Sequence, residues 1–319
     1  MTGARLRLAA AGSVLAVVVW RVGTGPFLDG MRLVDGWSVA WAFAITAAST
    51  LCCAWRWHLV SRGLGVEVPM RAAVAAYSRS QLLNLTLPGG VVGDVHRAVR
   101  HGREVGDVGR GARAVVWERT AGQVVQIVLT VVLLLVLPSP VRRYVPLVAV
   151  GLALVAVVVV LAGRVLPRSS ASRVSRAVRV AVDDVRQGLL APRAWPGILL
   201  ASAVVVAGHT TTFLVAARTA GVTTPVTQLL PLALLVLAAT AVPLSLAGWG
   251  PREGMAAWAF ALGGLGASLG VTTAVVYGVL VLVASLPGAL VLLADARRRP
   301  SHREATTEHA LAVDGGVRV

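Results

Sequence analysis

The chain has 319 residues, 56% of them hydrophobic and only 14% charged, with a mean hydropathy of +0.77. Charge-free runs such as residues 120–141 exceed what a soluble core needs, so composition excludes a water-soluble enzyme and places the chain among polytopic membrane proteins. The formal net charge of +16 is all arginine, scattered through loops rather than gathered in blocks, which fits cationic loops held on one side of a membrane and excludes nucleic acid as a partner.

In chain order, Arg5 and Arg7 precede a first apolar helix over residues 6–20. Arg21, Val22 and Gly23 supply no small-residue cleavage pattern, so this reads as a retained span rather than a leader. A second span, 37–57, carries Trp37 and Trp41 near one end and Trp55 and Trp57 near the other, as interfacial anchors do. Cys52 and Cys53 are adjacent within it and form neither a disulfide framework nor a metal knuckle. A broken segment (77–97) and a basic loop (97–113) follow, then apolar spans at 114–137, 145–162, 195–217 and 271–293. In the long polar connection 164–193, Val174, Val178, Ala181, Val185 and Leu189 form an apolar stripe with Arg173, Arg176, Arg179 and Arg186 elsewhere. That pattern suits a helix on an anionic leaflet or a solvated linker. Residues 296–319 are polar and expected to be a disordered cytoplasmic tail.

Two apolar segments are interrupted alike. In 77–97 the breakers are Pro88, Gly89, Gly90 and Gly93, and Tyr77, Gln81 and Asn84 share the helical face that leads to Pro88. In 228–269 the break carries Pro243, Gly248, Gly250 and Pro251. Pro88 to Arg97 and Pro243 to Arg252 are both nine residues, and each break is followed by an apolar helix ending in Leu-Pro, at 137–138 and 286–287. Backbone freed from the helical ladder inside a bilayer must be satisfied by protein or by a wet cavity, so the breaks are expected to mark a site.

Net charges of +2 at 1–7, +3 at 97–113, +5 at 164–193 and +2 at 295–304 put those segments, and both termini, on the cytoplasmic side. The bookkeeping closes if the two broken segments are re-entrant and enter from opposite sides. The expected fold is an all-α polytopic membrane protein of six full transmembrane helices plus two inverted re-entrant broken-helix hairpins, about eight membrane segments forming one domain over residues 1–295. Inverted repeats whose broken helices meet near the midplane are a transporter design.

Asp94, Arg97, Glu118, Arg119, Arg252 and Glu253 lie at or within these segments, where an unpaired charge costs about 2.5 to 3.5 kcal/mol. They should neutralise one another or serve a polar cavity whose arginines hold a phosphate, the forked guanidinium matching phosphate oxygens.

The motifs NLTLPGGVVGDVHR (84–97), Glu118-Arg119 and PLSLAGWGPREG (243–254) together resemble the transmembrane region of lysylphosphatidylglycerol synthases, the flippase-like integral membrane family, over residues 8–295. The resemblance implies a lipid-handling domain in a bacterial-type plasma membrane, of the kind that in bifunctional members moves aminoacylated phosphatidylglycerol between leaflets. For freestanding members it implies polyprenyl-linked sugar or cell-envelope pathways. About 25 residues follow the last span, against the order of 100 or more that the family's soluble aminoacyltransferase domain needs, so this chain is expected not to carry that step.

The expected function is a flippase-like lipid transporter that binds an anionic phospholipid or polyprenyl-phosphate headgroup in an arginine-lined intramembrane cavity. Arg97, Arg119 and Arg252 would contact the phosphate. Asp94, Glu118 and Glu253 would balance charge or relay protons, while Asn84, Gly89, Gly90, Gly93, Gly248 and Gly250 would line the broken helices. Alternatives are a membrane enzyme acting on a lipid phosphate, and a non-catalytic partner delivering lipid to a separately encoded glycosyl- or aminoacyltransferase. No metal or cofactor is expected, and no GxxxxGK[ST] phosphate loop occurs.

Overall fold

The computed structural model describes residues 20, 24–165, 173–240 and 249–297, and every regular element among them is a helix. A short helix, α1 (Gly25–Arg32), stands between the first two expected spans. Pro26 at its first turn explains it, since a fixed φ and a missing N–H cost nothing there. Helix α2 (Gly36–Gly63) starts at Asp35, whose carboxylate accepts the Ser38 N–H at 2.8 Å while the Ser38 hydroxyl accepts the Asp35 N–H at 3.3 Å. Hydrogen bonds to the carboxylate from the Ser38 side chain and then the Ser38 N–H hold the Asp35 carboxyl below the usual carboxylate range.

The first broken segment is a helical hairpin. Helix α3 (Met70–Thr86) ends before Pro88, the chain turns through Gly89 and Gly90 at positive φ, and α4 (Val92–Glu104) packs back on α3. The expected loop 97–113 is therefore mostly helix, because α4 runs to Glu104 and α5 (Val108–Val136) begins after a three-residue connection, capped by Asp107. Helix α6 (Val145–Val165) follows. The amphipathic connection forms α7 (Arg173–Asp184) and a π-helical turn, Val185–Leu189. Its stripe residues Val178, Ala181, Val185 and Leu189 are half-buried, and Arg176, Arg179 and Arg186 face out.

Helix α8 (Trp195–Thr219) leads to a second hairpin, α9 (Val226–Ala239) and α10 (Pro251–Leu262), also packed on each other. The expected last span is two helices, α11 (Ala267–Ala284) and α12 (Pro287–Arg297), because Pro287 lacks the N–H that would continue the ladder. The first predicted span and the tail beyond 297 lie outside the described residues.

Four stretches are long and apolar enough to cross a bilayer: Gly36–Gly63, Val108–Val136, Trp195–Thr219 and Ala267–Asp295. Val145–Leu154 and Val226–Ala239 are shorter apolar helices. Large apolar side chains stand exposed in rows, such as Val124, Val128 and Val132 along α5, as lipid-facing surfaces require. The molecule is a multi-pass, all-α membrane protein. Small residues carry the interior: Ala42, Ala54, Ala201, Ala216, Ala233, Ala256 and Ala274 are fully buried, letting helices approach closely without a hydrophobic driving force from water.

Helix packing repeats itself. Helices α2 and α8 form the central pair, and every principal contact in the set α2, α3, α4, α5 has its counterpart in α8, α9, α10, α11 with α12. Thus α2 packs on α3 as α8 does on α9, α4 on α5 as α10 on α11, and α2 on α5 as α8 on α11. Contacts between the halves match too: α2 meets α11 as α8 meets α5, and α3 meets α12 as α9 meets α5.

Candidate functional site

The hairpin α3–α4 meets α2 and α5 at a charge network whose Arg56, Arg97 and Glu118 are buried. Glu118, in the third turn of α5, is 0% exposed and receives two arginines from two helices. Arg56 of α2 donates through Nε at 2.9 Å and Nη2 at 2.5 Å to Oε1, and Arg97 of α4 donates through Nη2 at 2.9 Å to Oε2. The Tyr77 hydroxyl of α3 donates to Oε1 at 3.3 Å. Asp94 sits one helical turn before Arg97 and accepts from its Nη2 at 3.0 Å, from Ser80 Oγ at 3.0 Å and from Asn84 Nδ2 at 2.9 Å, and it pairs with Arg119.

Local sequence explains why these groups converge. Asn84, just before the break, also accepts the Gly93 N–H at 2.8 Å, so one side chain ties both arms of the hairpin. Gly93 lies against the Ser80 carbonyl, where a Cβ would collide with backbone, so only glycine allows the arms to close at that point. Gly122 leaves room for the Arg56 guanidinium. Arg97 is stacked between the Trp57 ring at 4.6 Å and the Tyr77 ring at 4.3 Å, an aromatic clamp that offsets part of its desolvation.

A second cluster occupies the other half. Arg252, 6% exposed, donates through Nε at 2.8 Å and Nη2 at 2.5 Å to Glu253 Oε1, and Glu253 Oε2 accepts the Gly250 N–H at 2.6 Å. Gly250 has φ +125°, a conformation that side chains rarely adopt. The Arg252 guanidinium lies 5.4 Å from the Tyr277 ring and 5.6 Å from the Trp249 ring, in space that Gly278 leaves open. Tyr277 in turn bonds His209 Nδ1 at 2.9 Å.

The sequence-predicted residues thus fall into two groups. Asn84, Gly93, Asp94, Arg97, Glu118 and Arg119 come together, with Gly89 and Gly90 forming the turn beside them. Arg252, Glu253 and Gly250 form the second group, and among the described residues no hydrogen bond or ion pair joins it to the first. Gly248 lies outside the described residues. Sequence reading missed Arg56, Ser80 and the role of Trp57. An arginine inside an apolar span was the available signal for Arg56. Trp57 was read as an interfacial anchor, yet it is 2% exposed because the α2–α3–α4 junction closes over it, whereas Trp37 is 72% exposed as an anchor should be.

Chemically, each cluster is a guanidinium held in low dielectric by carboxylate and aromatic neighbours, an arrangement able to present fixed donors to an anion. The family model described as Lysylphosphatidylglycerol synthase TM region matches residues 5–288. Among curated proteins, no match to the chain was found.

Proposed function

The chain belongs to the lysylphosphatidylglycerol synthase transmembrane-region family, and from that premise we propose that it is a flippase-like transporter of an anionic lipid. The lipid is an anionic phospholipid or a polyprenyl phosphate. Arg97 and Arg119 in one half and Arg252 in the other contact its phosphate, while Asp94, Glu118 and Glu253 balance charge. The observation that carries this reading is a buried arginine–glutamate pairing beside the break of each hairpin, in a packing pattern that repeats across the molecule. Charge inside a membrane protein is expensive and is retained at substrate pathways, and paired broken helices are where transporters place them. In the same reading the two hairpins are re-entrant from opposite faces, the termini are cytoplasmic and the membrane is a plasma membrane. A separately encoded transferase would consume or supply the lipid.

Fluorescent-lipid translocation in proteoliposomes tests this. Arg97→Ala and Arg252→Ala should each abolish translocation by protein that still elutes as a folded species in detergent. Unchanged rates in both variants would remove the proposal.

A further inference from the structure

The Arg97 guanidinium also borders a cavity of about 110 Å³ between α3, α4 and the end of α12. Its Nη2 carries both bonds to carboxylates, while Nε and Nη1, fully buried, donate to no group among the described residues. His101 Nε2, from the next turn of α4, is buried in the same wall and likewise has no partner there; the ring is 4% exposed and stands edge-on to Trp57. Arg79 of α3 and Arg100 of α4 also line it. Both reach one atom, Oδ2 of Asp295 near the end of α12: Arg100 Nη1 lies 2.7 Å from it, and Arg79 Nη1 pairs with it. Asp295 is 26% exposed, so it stands at the mouth.

Three guanidiniums and an imidazole therefore line a space large enough for one tetrahedral oxyanion, and on that lining Arg97 Nε, Arg97 Nη1 and His101 Nε2 have no hydrogen-bond partner among the described residues. A single carboxylate oxygen accepting from two guanidiniums at the entrance imitates one oxygen of a phosphate group. Asp295 sits on the short helix that Pro287 separates from the long span before it, so its carboxylate can leave without disturbing α11. Glu104, the other acid in the lining, is paired with Arg100 at 3.1 Å and is 58% exposed, which leaves Asp295 as the group in the entrance.

We propose that this cavity is a phosphate-group binding site and that the Asp295 carboxylate is its built-in competitor, holding the entrance between Arg79 and Arg100 until a phosphate monoester or diester displaces it. The proposal rests on the lipid reading and adds to it a phosphate position on the Arg97, Arg100 and His101 side of α4, apart from Arg119 and Arg252. Binding of the bare anion requires no translocation, so the two readings fail separately.

The test is calorimetric titration of the purified full chain with inorganic phosphate, and of nanodisc-embedded chain with phosphatidylglycerol against phosphatidylcholine alone. Asp295→Asn should bind at least about tenfold more tightly than wild type, a gain of about 1.4 kcal/mol, and adding Arg100→Gln should remove that gain. A gain with inorganic phosphate supports a site for the free anion; a gain only with phosphatidylglycerol supports a headgroup site. No gain with either probe overturns the proposal. Should Asp295→Asn melt early because its ion pair with Arg79 is lost, phosphate should raise its Tm more than it raises that of wild type. Equal shifts would count against the site.

Discussion

Glu118 is the residue on which the first cluster turns, because its two oxygens hold arginines from two different helices. Glu118→Ala leaves Arg56 and Arg97 buried without that counter-charge, and stability should fall by about 3 to 5 kcal/mol, read as a lowered melting temperature in detergent. Arg119→Gln should be milder, since its side chain is 38% exposed and only its pairing with Asp94 is lost. Asp94, Arg97, Glu118 and Arg119 were legible in the sequence for a plain reason: a charge in an apolar segment costs too much to be incidental. Arg56 and Trp57 were not, because a span flanked by tryptophans looks the same whether a given ring faces lipid or a guanidinium. Only the fold of α3 and α4 over that end of α2 distinguishes the two.

The hairpin α3–α4 depends on one close approach at the scale of elements. Gly93→Ala drives a methyl group into the Ser80 carbonyl and should cost about 1 to 3 kcal/mol, as overpacking does. It should also separate Asn84 from the Gly93 N–H, seen as faster amide exchange over residues 84–94. Gly278→Ala makes the matching change in the other half by intruding on the Arg252 guanidinium, and it should reduce translocation more than stability. Proline and glycine made both breaks readable, since each removes or loosens the ladder wherever it sits. The ends of the elements were less readable. Helix α1 lies in the connection between two expected spans, and the expected last span, 271–293, is divided at Pro287, after which the chain resumes as a helix docked where Gly288 meets the Ser78 carbonyl.

For the whole molecule, the doubled packing pattern makes a prediction about sidedness. With Cys52 and Cys53 replaced, Arg103→Cys and Thr223→Cys should be labelled by impermeant maleimide from opposite faces of the membrane; labelling from one face would exclude the inverted arrangement. The internal spacing of Pro88 to Arg97 and Pro243 to Arg252 was visible beforehand, but the meeting of the two halves along α2 and α8 was not, since alanine-rich seams carry no signature that separates them from lipid-facing surface. That seam also bears on assembly. Because contacts across it pair like elements of the two halves, the peptide bond joining them contributes proximity rather than geometry. Residues 1–168 and 169–319 produced as two polypeptides should find each other and copurify, so that the molecule behaves as a pseudo-dimer whose subunits happen to be translated in tandem.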